Sequence, residues 1–203
     1  MPIEENERGT YIYNSKDLCM IAHIPDIEKA GIYSLKIEGR MKTPFYVGTV
    51  VKAYRQAIDD YNTDPKLYEA RLPYYLAEVS KASHRDYTTA FYYGKPDGNQ
   101  QVYTNNSYIR EYDFIGMVQE DWDEATGFAV VEQRNKFSVG EEIEVLPAKG
   151  DSFSMTVTEI LNHAGEAVAS APHPQEILKV KFDRPVHPFD MLRKIPTDLS
   201  EKT

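Results

Sequence analysis

The chain has 203 residues, 41% of them hydrophobic and 27% charged, with 23 Lys and Arg against 32 Asp and Glu for a formal net charge of −9. That balance fits one large or two small soluble globular domains and excludes a protein that coats nucleic acid through bulk positive charge, while leaving a local basic site open. No apolar run reaches the ~18 residues of a membrane span, the first ten residues are too polar for a signal peptide, and one cysteine excludes both an internal disulfide framework and a metal site built from several thiolates of this chain. The expected compartment is the cytoplasm.

Two grammars follow one another. Residues 1–98 hold 13 basic and 14 acidic residues, whereas 99–203 hold 10 and 18. In the first part, Asn14 or Ser15 is placed to cap a helix over Lys16–His23. Pro25 is tolerated at a helix start but not inside one, so the pattern breaks near Ile24 and resumes as a short helix to Ala30, which Gly31 ends. Ile32–Ile37 alternates as a strand, and Glu38-Gly39-Arg40 leaves it. Thr43 then caps a helix with Pro44 at its first position, running to about Tyr61. Its apolar stripe is Val47, Val50, Val51, Tyr54, Ala57 and Ile58. Asp64-Pro65 repeats the device for a third helix through Val79. Helix, strand and helix in that order are the grammar of a βα unit, but a lone strand cannot bury both faces. Packing alone therefore predicts the end of a larger α/β domain whose earlier strands are missing.

From Asp86 onward short strands are expected at Asp86–Tyr92, Arg110–Gln119, Gly127–Glu132, Glu142–Leu146, Ser152–Leu161 and Ile177–Phe182. Turns at Lys95–Gly98, Asp123–Gly127 and Lys149–Asp151 separate them. This spacing suits a small closed antiparallel β-barrel. The fold class is α+β: a helical tail of an incomplete TIM-like α/β barrel over residues 1–82, then a β-barrel over 83–203.

Candidate chemistry concentrates at the first strand. Ser34, Lys36 and Glu38 share one face and Leu35 and Ile37 the other. Charged residues at the C-terminal end of a barrel strand are where such enzymes keep their chemistry; the competing reading is an exposed edge strand carrying a Lys36–Glu38 ion pair. A Cys19–His23 pair at i,i+4 is a geometric option, against the common role of a lone cysteine as a small buried apolar residue. His23, His84, His163, His173 and His187 show no metal-binding spacing. Tyr87, Phe91, Tyr92, Tyr93, Tyr103 and Tyr108, with Arg85, Lys95 and Arg110 nearby, form either a base-stacking surface or a tyrosine-rich contact between domains.

The runs Asn14-Ser15-Lys16-Asp17-Leu18-Cys19 and Ser34-Leu35-Lys36-Ile37-Glu38-Gly39-Arg40-Met41-Lys42, followed by Tyr46–Ala57 and Ser83-His84-Arg85, resemble the peptidase U32 family, the collagenase-like proteases. The resemblance covers nearly the whole chain and implies a modified α/β barrel followed by a C-terminal β-barrel, with the cysteine-rich signature of the first domain absent. It implies one of two activities for the full-length protein: prephenate-dependent hydroxylation of a tRNA uridine, or hydrolysis of peptide bonds as the family name states. It also implies that Cys19 is similar in place to the last ligand of an iron–sulfur cluster in related members. This chain alone is expected to hold no cofactor and to be inactive by itself. Its remaining site expectations are that Lys36, Glu38 and Arg40 act at the catalytic site, with Lys36 and Arg40 gripping a small anionic substrate and Glu38 orienting one of them, and that tRNA is a partner. No membrane is involved. The missing N-terminal barrel segment is the remaining partner.

Overall fold

The computed structural model describes residues 3–6, 9–12, 14–95, 101–102, 109 and 111–196. The chain divides into two compact units, Met1–Arg110 and Glu111–Thr203. No helix among the described residues is long and apolar enough to cross a membrane.

The first unit runs β1 (Ile3–Asn6), β2 (Gly9–Ile12), β3 (Asn14–Ser15), β4 (Asp17–Leu18), a 3₁₀ turn (Ile21–His23), α1 (Ile24–Lys29), α2 (Pro44–Thr63), α3 (Pro65–Ser80), β5 (Tyr87–Thr88) and β6 (Gln101–Val102). β1 and β2 form a hairpin, β3 pairs antiparallel with β6, and β4 pairs parallel with β5. The helix starts follow the expected chemistry. The Thr43 hydroxyl accepts from the Tyr46 N–H and the Asp64 carboxylate from the Lys66 N–H, each with proline in the first turn. Gly31 ends the α1 segment at φ +70°, a conformation that suits glycine.

Three expectations fail in this unit. Lys16–Leu18 is not helical: the Asp17 N–H donates to the Asp86 carbonyl and the Cys19 N–H to the Thr88 carbonyl, so sheet pairing with a distant segment overrides a marginal helix signal. Asn14 and Ser15 consequently lie in a strand rather than at a cap. The domain boundary falls between residues 110 and 111 rather than 82 and 83, because β5, β6 and the His84–Ile109 bridge tie 83–110 to the first unit. Ile32–Ile37 keeps the expected alternation, with Leu35 and Ile37 half-buried and Ser34, Lys36 and Glu38 exposed, but it pairs with no strand among the described residues. Gly39 lets the segment lie close to α2, since a Cβ there would meet Val47 Cγ2 at 2.6 Å.

Tyrosines build the core of this unit. Ala53 and Ala57 of α2 allow close approach of α3. Tyr68 stacks on Tyr75 with ring centres 5.9 Å apart and meets Tyr61 edge-on at 5.6 Å. The Tyr68 hydroxyl donates to the Ile21 carbonyl at 2.8 Å, and the Tyr75 hydroxyl donates to Asp60, which also receives Arg71 at 2.8 Å.

The second unit is a curled antiparallel sheet. Its strands are β7 (Asp113–Val118), β8 (Phe128–Gln133), β9 (Phe137–Ser138), β10 (Glu142–Leu146), β11 (Phe153–Thr156), β12 (Ile160–Leu161), β13 (Ser170–Ala171), β14 (Ile177–Lys181) and β15 (Met191–Lys194). Seven pair in the order β11-β10-β15-β7-β8-β14-β12, and β9 pairs with β13. The expected strand Ser152–Leu161 is split into β11 and β12. These are the two edges of the seven-stranded sheet, yet only Val157–Glu159 lies between them, so the sheet curls back on itself. The hydrogen-bonded order stays open where a closed ring would pair those edges. Alternate residues such as Ile115, Val131, Ile143, Leu178, Val180 and Leu192 fill the concave core. Asp190 is buried in the turn before β15, where its carboxylate accepts from the Ala148 and His187 N–H groups.

The helical core titrates in a defined direction. Burial lifts the Tyr68 phenol from 10 to about 12 and pushes Tyr54, Tyr75 and Tyr87 above the ordinary phenol range. The folded state therefore keeps these protons longer than the unfolded chain does. The stability they contribute is full below pH 10 and is lost as the pH climbs toward 12 and beyond. Urea unfolding followed by helix circular dichroism from pH ~9 to ~12 is expected to show a falling midpoint, steepest above pH ~10. A flat profile would contradict this assignment.

Candidate functional site

The parallel β4–β5 pair is the base of the site. Arg85 donates to Asp17 three times, from the backbone N–H at 3.0 Å, Nε at 3.1 Å and Nη2 at 2.8 Å. Nε and Nη2 both reach Oδ1 and the backbone N–H reaches Oδ2, and both side chains are largely buried, so this is a charge-assisted pair in a low-dielectric setting. Directly after β4 come Cys19 and Met20. The Met20 N–H donates to the Tyr54 hydroxyl at 2.7 Å, and that hydroxyl donates to Cys19 Sγ at 3.8 Å. Two residues after Arg85 comes Tyr87, whose ring stacks on His84 at 4.5 Å and whose hydroxyl donates to the Val79 carbonyl at 2.9 Å.

These residues form one wall of a cavity of about 470 Å³ within the first unit. Tyr46, Tyr54 and Val50 of α2 line another side, and the unpaired Ser34–Glu38 segment and Lys42 the rim. Tyr92 contributes from the turn after β5. That turn is pinned outside the cavity: the Tyr93 hydroxyl lies 2.8 Å from His23 Nδ1 and also donates to Asp26. The bond from Tyr93 holds the Asp26 carboxyl below its usual range and raises the Tyr93 phenol.

The structure brings Cys19, Lys36 and Glu38 to this cavity. Arg40 is exposed and does not line it. The expected Lys36–Glu38 ion pair is not formed: the Glu38 carboxylate instead accepts the Arg40 backbone N–H at 3.0 Å, and Lys36 has no ion-pair partner among the described residues. The Cys19–His23 option also fails, because Cys19 faces Tyr54 while His23 faces Tyr93 and Asp26. Sequence reasoning missed Tyr46, Tyr54 and Lys42. The stripe that named Tyr54 as core gave no sign that its hydroxyl would reach Cys19. Of the tyrosine cluster, Tyr87 and Tyr92 line the cavity, whereas Tyr103, Tyr108 and Arg110 lie outside the described residues.

An iron–sulfur cluster does not fit this chain by itself. Cys19 is its only cysteine, and the described residues contain no group of three or more His, Cys, Asp or Glu able to hold a metal ion. A second cavity, of about 460 Å³ in the other unit, is lined by Glu141, Glu142 and Glu144 with Tyr112 and Lys194. Glu141 binds Lys194 at 2.6 Å and Glu144 binds Arg193 at 2.8 Å, so its cations are already engaged.

Fold and cavity together define a two-part protein, a helical α/β-type unit bearing a polar-rimmed cavity and a curled antiparallel β unit. The chain belongs to the peptidase U32 family: residues 2–102 match its family model and residues 110–193 match the model of the peptidase family U32 C-terminal domain. It is 38% identical over 188 residues to tRNA hydroxylation protein P1 of Bacillus subtilis, covering 93% of this chain and 44% of that protein. It is 37% identical over 170 residues to tRNA hydroxylation protein P of Escherichia coli, covering 83% and 36%. A collagenase of Porphyromonas gingivalis is 25% identical, covering 94% and 52%. The crystallised C-terminal domain of a protein described as a U32 peptidase from Geobacillus thermoleovorans is 36% identical, covering 40% of this chain and 99% of that one, with a TM-score of 0.38. The chain spans less than half the length of the two tRNA hydroxylation proteins.

The β4–β5 clamp makes a direct prediction. Asp17→Ala leaves a largely buried guanidinium without its carboxylate and is expected to lower stability by about 1–3 kcal/mol, and to speed maleimide labelling of Cys19 under native conditions. Unchanged labelling and an unchanged urea midpoint would show that the pair does not position the site.

Proposed function

We propose that the chain is part of a tRNA-hydroxylating protein of the U32 family and that the cavity beside Cys19 is its substrate site. The observation that carries this reading is the meeting, at one cavity, of the two sequence runs that mark the family resemblance: Asp17-Leu18-Cys19 on one wall and Ser34 to Glu38 on the rim. Relatives of 37–38% identity named for tRNA hydroxylation support the substrate class. In this reading Lys36 meets an anionic group of the substrate, Glu38 stiffens the turn that carries Arg40, and Arg40 acts from outside the cavity lining. In a protein of those relatives' length, Ser34–Glu38 is a strand of a larger α/β barrel, which accounts for its alternating burial without a partner. The second unit, a curled antiparallel half-barrel, is an accessory domain. Were an iron–sulfur cluster bound in the longer protein, Cys19 would be one of its thiolate ligands. The compartment in this reading is the cytoplasm.

A peptidase reading has the Porphyromonas gingivalis collagenase in its favour. Against it, the one candidate nucleophile–base pair weighed among the described residues, Cys19 and His23, turns to different partners.

The test replaces the chromosomal copy of the full-length gene with Cys19→Ala or Lys36→Ala variants and measures hydroxylated uridine in digested tRNA by mass spectrometry. Hydroxylation is expected to fall to near background at unchanged protein level. Wild-type hydroxylation in both variants would overturn the site, and full-length protein that cleaves casein in a Cys19-dependent way would restore the peptidase reading.

A further inference from the structure

The turn Thr89–Gly94 leaves β5 beside the cavity and is held mostly by its own backbone. The Ala90 N–H donates to the Thr88 hydroxyl at 3.0 Å, the Tyr92 N–H to the Thr89 carbonyl at 3.2 Å and the Gly94 N–H to the Phe91 carbonyl at 3.3 Å. Its root is fixed, because the Thr88 carbonyl accepts the Cys19 N–H at 2.9 Å. Both ends of the tip are left-handed, Ala90 at φ +47° and Gly94 at φ +128°. An alanine holds that conformation only where its surroundings impose it. Hinges are a few loop positions of this kind that absorb a change in φ and ψ.

Two neighbouring side chains of the tip do different things. Tyr92 lines the cavity yet is 58% exposed, which sets it at the boundary between cavity and solvent. Tyr93 turns away to the start of α1. Its hydroxyl lies 2.8 Å from His23 Nδ1 and donates to Asp26, and its ring centre is 4.8 Å from that of the imidazole. The bond to the carboxylate is charge-assisted. Among the described residues, these hydroxyl bonds are the only hydrogen bonds that join residues 90–94 to anything outside residues 88–94. One side chain therefore decides where Tyr92 stands. Its two partners belong to the segment that continues directly from Cys19 and Met20, so the clasp ties the turn to the chain that forms the cavity wall.

We propose that Thr89–Gly94 is a flap over the mouth of the cavity, held shut by Tyr93 clasped between His23 and Asp26, and that release of the clasp swings Tyr92 aside and opens the site. Its role in admitting substrate rests on the reading of the cavity as the substrate site; the motion itself needs no substrate. A clasp between partly exposed groups is strong enough to favour the shut state and weak enough to open often, and loops of this size move within nanoseconds to microseconds. A shut flap limits what reaches Cys19 from solvent.

Cys19 reports the flap, because it is the chain's only thiol and lines the cavity. The purified chain is labelled in native buffer with iodoacetamide and, separately, with a bulky fluorescein maleimide, and each variant's urea midpoint is measured beside its rates. Tyr93→Phe keeps the ring and removes the hydroxyl. It is expected to speed maleimide labelling about three- to tenfold, the worth of a hydrogen bond, and iodoacetamide labelling less, with the midpoint close to that of the wild type. Asp26→Ala is expected to speed maleimide labelling to a similar extent, and the double variant no further than either alone, since both release one clasp. Phe91, at the same tip but 76% exposed and outside the clasp, supplies the control: Phe91→Ala is expected to label at the wild-type rate. Wild-type labelling in Tyr93→Phe, equal acceleration of the two reagents, additive effects in the double variant, or acceleration that only follows a falling urea midpoint overturns the flap. No tRNA enters this assay. The flap therefore fails or holds independently of whether uridine hydroxylation in cells depends on Cys19 and Lys36.

Discussion

The Asp17–Arg85 pair is the constraint on which the candidate site depends. It joins two segments 68 residues apart in sequence. Without it, β4 and β5 are two-residue strands, far too short to persist alone. With it, everything immediately downstream on both strands acquires an address. Cys19 and Met20 follow Asp17 and meet Tyr54 of α2; Tyr87 follows Arg85 and packs its ring on His84. The cavity is therefore assembled by pairing local in space and distant in sequence, and the helical hairpin of α2 and α3 supplies the rigid side against which it forms.

Tyrosine is the material of this unit because it serves two purposes. Its ring fills apolar volume, and its hydroxyl satisfies a backbone group at the far end. Tyr68 to Ile21, Tyr87 to Val79 and Tyr54 to Met20 each spend a hydroxyl this way. Burial that raises these phenols also keeps them protonated at neutral pH, so the site's rings are neutral surfaces and its charge comes from Lys36, Lys42 and Glu38 at the rim. In a chain of net charge −9, anion recognition has to be local, and the cavity carries two lysines, Lys36 and Lys42.

The helices were legible because their signals are local. Thr43-Pro44 and Asp64-Pro65 cap and start α2 and α3, and Pro25 with Gly31 bounds α1. The alternation that puts Lys36 and Glu38 on one face was legible for the same reason. The second unit's longer strands β7, β8, β10 and β14 were legible from their alternation, and the features that failed are ones set by long-range pairing. Asp17–Leu18 has no strand signal of its own and is extended only because Asp86 and Thr88 offer carbonyl groups to it. The boundary at residue 110 was invisible, since the change of period near residue 83 reports local conformation and not which unit a strand joins. β9, β13 and β15 were too short or too mixed in polarity to read, and β11 and β12 looked like one strand because the chain between them only bends. Within the site, Lys36 was found from strand alternation and Cys19 from motif resemblance, whereas Tyr46, Tyr54 and Lys42 were not, because no spacing rule brings Tyr54 to a cysteine 35 residues earlier.

The most direct test of this account is zero-length photocrosslinking of the full-length protein to tRNA carrying 4-thiouridine in place of uridine, with the crosslinked residues read by mass spectrometry. The account predicts adducts at the cavity residues of the first unit that disappear when Cys19 and Lys36 are both replaced by alanine. Crosslinks confined to the second unit, or unchanged by that replacement, would contradict it.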